Sequence, residues 1–145
     1  MSAARVQRAA TVLDVRQRAV DEAQTRNAEA LRTVEAAARA AQAAQSAWET
    51  ATRSPTGAAA SSVDLAERDA WHRSLRLRAD RAAAQYAEAR AVADHARAML
   101  VAAQSEFRKI EMWRDGLVAE LRSNEARQER RDADTMAAQT VRKQR

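Results

Sequence analysis

Apolar residues recur every seven positions along the first third of the chain. The row comprises Val6, Leu13, Val20, Asn27, Val34, Ala41 and Trp48. A second row follows three residues later and comprises Ala9, Arg16, Ala23, Ala30, Ala37, Ala44 and Ala51. Two such rows are the a and d positions of a heptad repeat. Since a straight helix drifts relative to a strict seven-residue repeat, the pattern predicts a helix that supercoils around a partner helix.

The second half of the chain repeats this arrangement. Its first row comprises Leu65, His72, Ala79, Tyr86, Ala93, Leu100 and Phe107. Its companion row comprises Leu75, Ala82, Ala89, Ala96, Ala103, Ile110 and Leu117. Alanine dominates both seams and is the strongest helix former. The pattern therefore predicts two helices that pack closely against each other.

A short segment separates the two heptad regions. Pro55 cannot continue a helix, because it lacks an N–H group and its ring clashes with the preceding turn. Gly57 gives the backbone freedom for a reversal, and Ser61 followed by Asp64 resembles a capping box. The sequence predicts helices at 2–53 and 62–140 joined by a loop at 54–61. We expect one all-α domain over 1–145, a long two-helix antiparallel coiled-coil hairpin.

The predicted helices differ in length, and this has a geometric consequence. At 1.5 Å per residue the second helix is roughly 40 Å longer than the first. Pairing outward from the loop places the N-terminus opposite Met112 and Trp113. The residues beyond about Asp115 are then expected to overhang as a single helix. Because a polar helix is marginal in water when it stands alone, we expect this overhang to dock on another protein.

Charge adds a constraint on partners. The net charge is +5, but residues 1–53 carry eight basic and six acidic groups, and residues 114–145 carry the same numbers. Nucleic-acid-binding arms have basic blocks with few acids, so we expect no nucleic-acid partner. The positive net charge keeps a basic coiled coil that associates with nucleic acid open as one alternative. A self-associating scaffold coiled coil is another.

No pattern of catalytic or cofactor-binding residues is found. The chain has no cysteine, His72 and His95 have no metal-ligand spacing, and no phosphate-binding glycine loop occurs. No run of about 18 apolar residues is present, so we expect no membrane insertion. We predict a non-enzymatic cytoplasmic protein without a cofactor or a metal site.

Three groups of residues are candidates for specific roles. Asn27 is polar at a seam position, so it either sets the helix register or is a tolerated defect. The predicted tip of the hairpin comprises Trp48, Trp71, His72 and Leu75. Its indoles either plug the splayed end of the hairpin or anchor a partner, since tryptophan is enriched at interface hot spots. The third group lies in residues 107–137, where Phe107, Ile110, Trp113, Leu117 and Leu121 form one apolar stripe before a charged end.

This C-terminal region resembles the FliJ/YscO family, the central stalk proteins of type III secretion systems. The residues that carry the resemblance are an aromatic group followed by Glu/Arg-rich repeats: Phe107, Lys109, Glu111, Trp113, Arg114, Glu120, Glu125, Arg127, Glu129, Asp132 and Asp134. The predicted two-helix hairpin and the chain length are also similar to members of this family. The family's terminal acidic pair is interrupted here, because Ala133 separates the two aspartates.

The resemblance implies a stalk that inserts into a hexameric export ATPase. The residues expected to contact the ATPase are Phe107, Trp113, Arg114, Leu117, Leu121, Arg127 and Arg131. The tip residues Trp48, Trp71, His72 and Leu75 would contact the cytoplasmic ring of the export gate. Substrate chaperones are further expected partners. The protein would lie in the cytoplasm, peripheral to the export apparatus of the inner membrane.

Overall fold

The protein consists of two long α-helices. The computed structural model describes residues 2–54 and 61–143, in which α1 spans Ser2–Arg53 and α2 spans Ser62–Lys143. Every described residue except Ser54 and Ser61 is helical. The prediction of an all-α protein with two long helices is therefore confirmed, and α2 ends at Lys143 rather than at 140. The predicted loop residues Pro55 and Gly57 lie outside the described residues.

The start of α2 is fixed by a reciprocal cap. The Asp64 backbone N–H donates to the Ser61 Oγ at 3.1 Å, and the Ser61 backbone N–H donates to Asp64 Oδ2 at 2.9 Å. The Ser61 hydroxyl also donates to Asp64 Oδ2 at 2.7 Å, and the Leu65 N–H closes the first turn on the Ser61 carbonyl. These bonds satisfy N–H groups that have no partner inside the helix. The capping box predicted from the sequence is confirmed.

Contacts along the chain divide it into two compact units. The first comprises Met1–Asp21 and Val101–Arg145, and the second comprises Glu22–Leu100. Each unit therefore contains one stretch of α1 and one stretch of α2.

In the second unit the two helices run antiparallel. The Arg68 side chain donates to the Ser54 carbonyl, Arg76 stacks on Trp48, and a groove is lined from both helices by residues that include Ala30 and Ala89. Along these contacts the α1 numbers fall while the α2 numbers rise. The buried residues of this unit are Ala30, Leu75, Ala79, Ala89 and Ala93. All five belong to the heptad rows predicted from the sequence.

In the first unit the same rows form the core. Its buried residues are Ala9, Leu13, Val20 and Leu117. Three of them come from α1 and the fourth from α2, so the seam of this unit has larger side chains than the alanine-rich seam of the second unit. Val6, Phe107 and Ile110 are half-buried at its margin.

One predicted seam residue of the second unit is exposed. Leu65 was expected to begin the α2 seam, but 46% of its surface is accessible, and Val63 is 62% exposed. The reason is the stagger of the two helices. Arg68 already reaches the carbonyl of Ser54, just beyond the end of α1. The first turns of α2 therefore extend past the end of α1.

A second predicted seam residue, Arg16 in the first unit, is also exposed. Placing a guanidinium in a seam would remove it from water without a buried counter-charge, which is costly. The Arg16 side chain remains at the surface instead, where its charge acts on Glu106 of α2.

The unpaired part of α2 begins later than the sequence predicted. Overhang was expected beyond about Asp115, but Leu117 is 8% exposed and Leu121 is half-buried. The pairing predicted from the sequence assumed that the chain reverses its direction at the middle of the loop. Leu117 is instead part of the buried core of the first unit, whose other buried residues lie on α1. Continuous exposure begins at Arg122.

Candidate functional site

The C-terminal segment, defined here as residues 122–143, is helical and unpaired. The side chains of residues 122–140 and of Arg142 are all exposed. The side-chain hydrogen bonds found here are local, as in the bond from Arg127 to the Ser123 Oγ at 3.1 Å and from Gln128 to Asp132 Oδ1 at 3.0 Å. Such i,i+4 contacts contribute only about 0.2–0.5 kcal/mol each. About 30 Å of helix is thus presented without tertiary packing.

Charges of both signs cover the C-terminal segment. It carries six basic residues and four acidic residues, and the central stretch from Glu125 to Asp134 alternates between them. Exposed charges of this kind interact weakly and are screened by salt at distances beyond about 8–10 Å. These charges therefore contribute little to folding and stay accessible to water.

An exposed apolar patch lies N-terminal to this segment. Trp113 is 48% exposed and the adjacent Met112 is 74% exposed. Arg114 is half-buried and donates to Asp115 Oδ1 through Nε at 3.0 Å and through an Nη at 2.6 Å. The Arg114 guanidinium is thus occupied by Asp115. Trp113 and Met112 are therefore the side chains of this turn that a partner could contact.

Apart from Arg114, which is bonded to Asp115, the six other expected ATPase-contact residues divide into two sets. Leu117 is buried, and Phe107 and Leu121 are half-buried, so these three pack in the helix–helix seam of the first unit. Trp113 lies beside the seam rather than in it, which separates it from the single stripe predicted from the sequence. Accessible charged candidates are Arg127 and Arg131. The structure thus places one indole and two guanidinium groups on the accessible surface.

An ion pair on α2 precedes this patch along the helix. Lys109 Nζ donates to Glu106 Oε1 at 2.6 Å. This hydrogen bond and the Lys109 charge hold the pKa of Glu106 below its usual value, with a smaller contribution from Arg16 on α1. Arg16 on α1 therefore contributes to the electrostatics of a carboxylate on α2.

The four tip candidates have different environments. Trp48 is half-buried beneath the Arg76 guanidinium, which lies 4.6 Å from the ring centroid, and Leu75 is 6% exposed. His72 is half-buried. Trp71 is 52% exposed, with the Arg78 guanidinium 5.9 Å from its ring centroid. Trp48 and Leu75 therefore pack within the helix pair, and Trp71 is the indole available to a partner.

The remaining sequence candidate, Asn27, is half-buried in the second unit. Its register-setting role stays a prediction. Within residues 2–54 and 61–143, no cluster of three or more His, Asp or Glu side chains is placed to hold a metal ion. Neither helix, over its described length, has a stretch apolar enough to cross a membrane.

Some exposed apolar residues were not singled out from the sequence. Val92 is 56% exposed, Met99 is 52% exposed, and both share a heptad row with Trp71 and Trp113. The signal was present, because these residues immediately precede the seam positions Ala93 and Leu100. The heptad periodicity of the seam is stronger, and the row of Val92 and Met99 was not distinguished from it.

Comparison with known proteins returns no relative. No model of a known protein family, no curated protein and no solved structure matches this chain.

Proposed function

We propose that this protein is a non-enzymatic helical stalk of a type III secretion export apparatus. In this proposal the C-terminal segment and Trp113 dock in the central pore of a hexameric export ATPase. The observation that carries the proposal is the long exposed helix from Arg122 onward, together with the resemblance of residues 107–134 to the FliJ/YscO stalk proteins.

The physical argument begins with the stability of the exposed helix. An isolated polar helix of this length is only marginally stable in water. A partner that surrounds the helix can supply the binding energy that keeps it ordered. A pore lined with charges of both signs would engage Arg127 and Arg131 as well as the neighbouring carboxylates. Exposed pairs contribute about 0–1 kcal/mol each, which allows several contacts to form and release. Trp113 would supply the apolar anchor.

A second contact is proposed at the export gate. Trp71 is the exposed indole among the tip candidates, so it is the residue assigned to the cytoplasmic ring of the gate. Trp48 and Leu75 would act indirectly by holding the helix pair in place. Substrate chaperones are proposed as transient partners, and the protein would work in the cytoplasm at the membrane-bound apparatus.

The test uses a purified export ATPase from a type III system and measures ATP hydrolysis with increasing amounts of this protein. Truncation after Arg122 removes the C-terminal segment but leaves the seam intact, and it should abolish stimulation. Trp113→Ala should weaken the apparent affinity by about tenfold or more. Trp71→Ala is the matched control, an exposed tryptophan outside the proposed ATPase contact, and should stimulate as the unmodified chain does.

Two results would overturn the proposal. Undiminished stimulation by the truncated chain would remove the assigned contact. The second is DNA binding with a strong salt dependence. If the logarithm of the binding constant for duplex DNA falls by several units per log unit of salt concentration, the nucleic-acid-associated coiled coil is favoured instead.

A further inference from the structure

One face of the second unit carries large apolar side chains on α2 at heptad spacing. The row comprises Trp71, Arg78, Gln85, Val92 and Met99. Trp71, Val92 and Met99 are each more than half exposed. Exposed apolar residues scattered singly need no explanation, but a row of them along about 40 Å of one helix does.

The same face is concave. A groove of about 250 Å³ opens between the helices, lined by Ala30, Thr33, Gln85, Glu88, Ala89 and Val92. Its floor includes Ala30 and Ala89, which are buried in the seam, so the groove is continuous with the helix–helix interface. On α1 the row that contains Thr33 continues with Ala40 and Ala47. These small side chains leave room for another backbone to approach.

The opposite face of the unit differs in chemistry. There α2 presents Arg76, Arg90 and Arg97 in a row seven or fourteen residues apart. The exposed apolar residue on α1 at this face is Leu31, which stands between Gln24 and Ala38 in its own heptad row. The apolar row is therefore a property of one face only within the described part of this unit.

Charges at the edges of the groove are segregated along its length. Arg78 and Arg81 lie toward the start of α2, whereas Glu88 lines the groove about two to three turns further along. On α1, Glu29 is one turn from the groove residue Thr33, on the side away from Ala40. Arg26, in the same heptad row as Thr33, stands beside Glu29 at that end. The groove is thus basic toward one end and carries both signs, with acids in excess, toward the other.

We propose that this groove binds an amphipathic α-helix of a partner protein as a third helix of the bundle. The heptad spacing of Trp71, Val92 and Met99 matches a helix that follows the supercoil, because only such a helix meets a row repeated every seven residues. Charge complementarity defines the partner: its helix is acidic where it faces Arg78 and Arg81, and basic where it faces Glu88 and Glu29. The groove is shallower and smaller than typical small-molecule pockets of about 300–1,000 Å³. This surface is separate from the proposed ATPase contact and does not depend on it, but it shares Trp71 with the proposed export-gate contact.

The probe is a synthetic 28-residue peptide with leucine at every seventh position. The leucines are flanked by glutamate in one half of the peptide and by lysine in the other half. Its binding to the full chain is followed by the fluorescence anisotropy of a dye at one end. The control peptide has the same composition with the two charges alternating along its length. The segregated peptide should bind at least about tenfold more tightly, since its charges match those of the groove.

Matched substitutions locate the site. Val92→Lys and Met99→Lys should each weaken peptide binding about tenfold or more. Leu31→Lys changes a residue of similar exposure on the opposite face and should alter binding less than about twofold. Arg78→Glu combined with Arg81→Glu should remove the preference for the segregated peptide. Circular dichroism shows whether each variant keeps its helices, and the exposure of all five positions predicts that it does.

Three outcomes would overturn the proposal. In the first, both peptides bind equally; in the second, Leu31→Lys weakens binding as much as Met99→Lys. In the third, sedimentation shows that the chain forms a dimer that Met99→Lys dissociates. That result would make a second copy the occupant of the groove.

Discussion

Ser61 and Asp64 form the most sharply defined local interaction of the chain. Aspartate replaces the glutamate or glutamine that usually completes a capping box, and its shorter side chain still reaches the Ser61 N–H. The Ser61 bonds lower the pKa of Asp64. A carboxyl with a depressed pKa in the folded state stabilises it above its ordinary pKa, and this contribution is lost as pH falls through the folded value.

Removing the cap should destabilise the protein measurably. Ser61→Ala is expected to lower the free energy of unfolding by about 1 kcal/mol and to raise the pKa of Asp64 toward its usual value. Urea unfolding at neutral pH measures the first effect. Ser62→Ala, one residue inside the helix, is the control and should change stability by less than about 0.5 kcal/mol. Equal effects of the two substitutions would contradict the cap.

Glu106 has a lowered pKa to which residues of both helices contribute. Its carboxylate is held ionised mainly by Lys109 on the same helix and to a smaller extent by Arg16 on α1. Lys109→Ala should therefore raise the Glu106 pKa, and Arg16→Ala should raise it by a smaller amount. Carboxyl-carbon NMR titration measures both shifts. Arg18→Ala is the control for Arg16, and an equal effect of Arg16 and Arg18 would contradict the assigned pairing.

At the scale of the helices, the heptad rows predicted the core but not its axial stagger. Ala9, Leu13, Ala79 and Ala93 are buried as the periodicity required. A repeat of seven identifies the face of each helix that packs. It does not say how far one helix slides along the other, because shifting by a heptad leaves the pattern unchanged. The exposure of Leu65 follows from the stagger in the second unit.

Two leucines of α2 test the observed stagger directly. Both were expected in the seam, yet Leu75 is 6% exposed and Leu65 is 46% exposed. Leu75→Ala should cost about 2–5 kcal/mol of unfolding free energy, because it leaves a cavity in the core. Leu65→Ala should cost less than about 1 kcal/mol. Thermal or urea unfolding distinguishes them, and similar losses for both would contradict the stagger.

The candidate site was predicted in part. The sequence placed an aromatic group and a charged helix near the C-terminus, and the structure shows that Trp113 and Arg127 are accessible. The sequence alone could not separate Trp113 from the seam residues Phe107 and Leu117. Trp113 belongs to a heptad row that is offset by only one residue from the row of Phe107. That separation depends on which side the partner helix occupies, and tertiary packing decides it.

At the scale of the whole molecule, the charge pattern and the unpaired helix favour protein contacts. Basic residues exceed acidic residues by five, but the two are interleaved along both helices. Within the described residues, ion pairs such as that between Glu35 and Arg39 join exposed neighbours on one helix. Such pairs contribute little to folding. Stability is therefore carried by the seams, and the exposed charges remain available for partners.

The central claim is that the C-terminal segment is unpaired in the free chain and becomes enclosed by the export ATPase. Amide hydrogen exchange tests both halves of it in one measurement, since exchange protection reports the local free energy of opening. In the free protein the amides of residues 123–140 should exchange rapidly, while those of residues 103–117 in the seam exchange slowly. With a saturating amount of the ATPase hexamer, exchange in 123–140 should slow by at least about tenfold. Unchanged exchange in this segment, in the presence of an ATPase that the chain stimulates, would contradict the account.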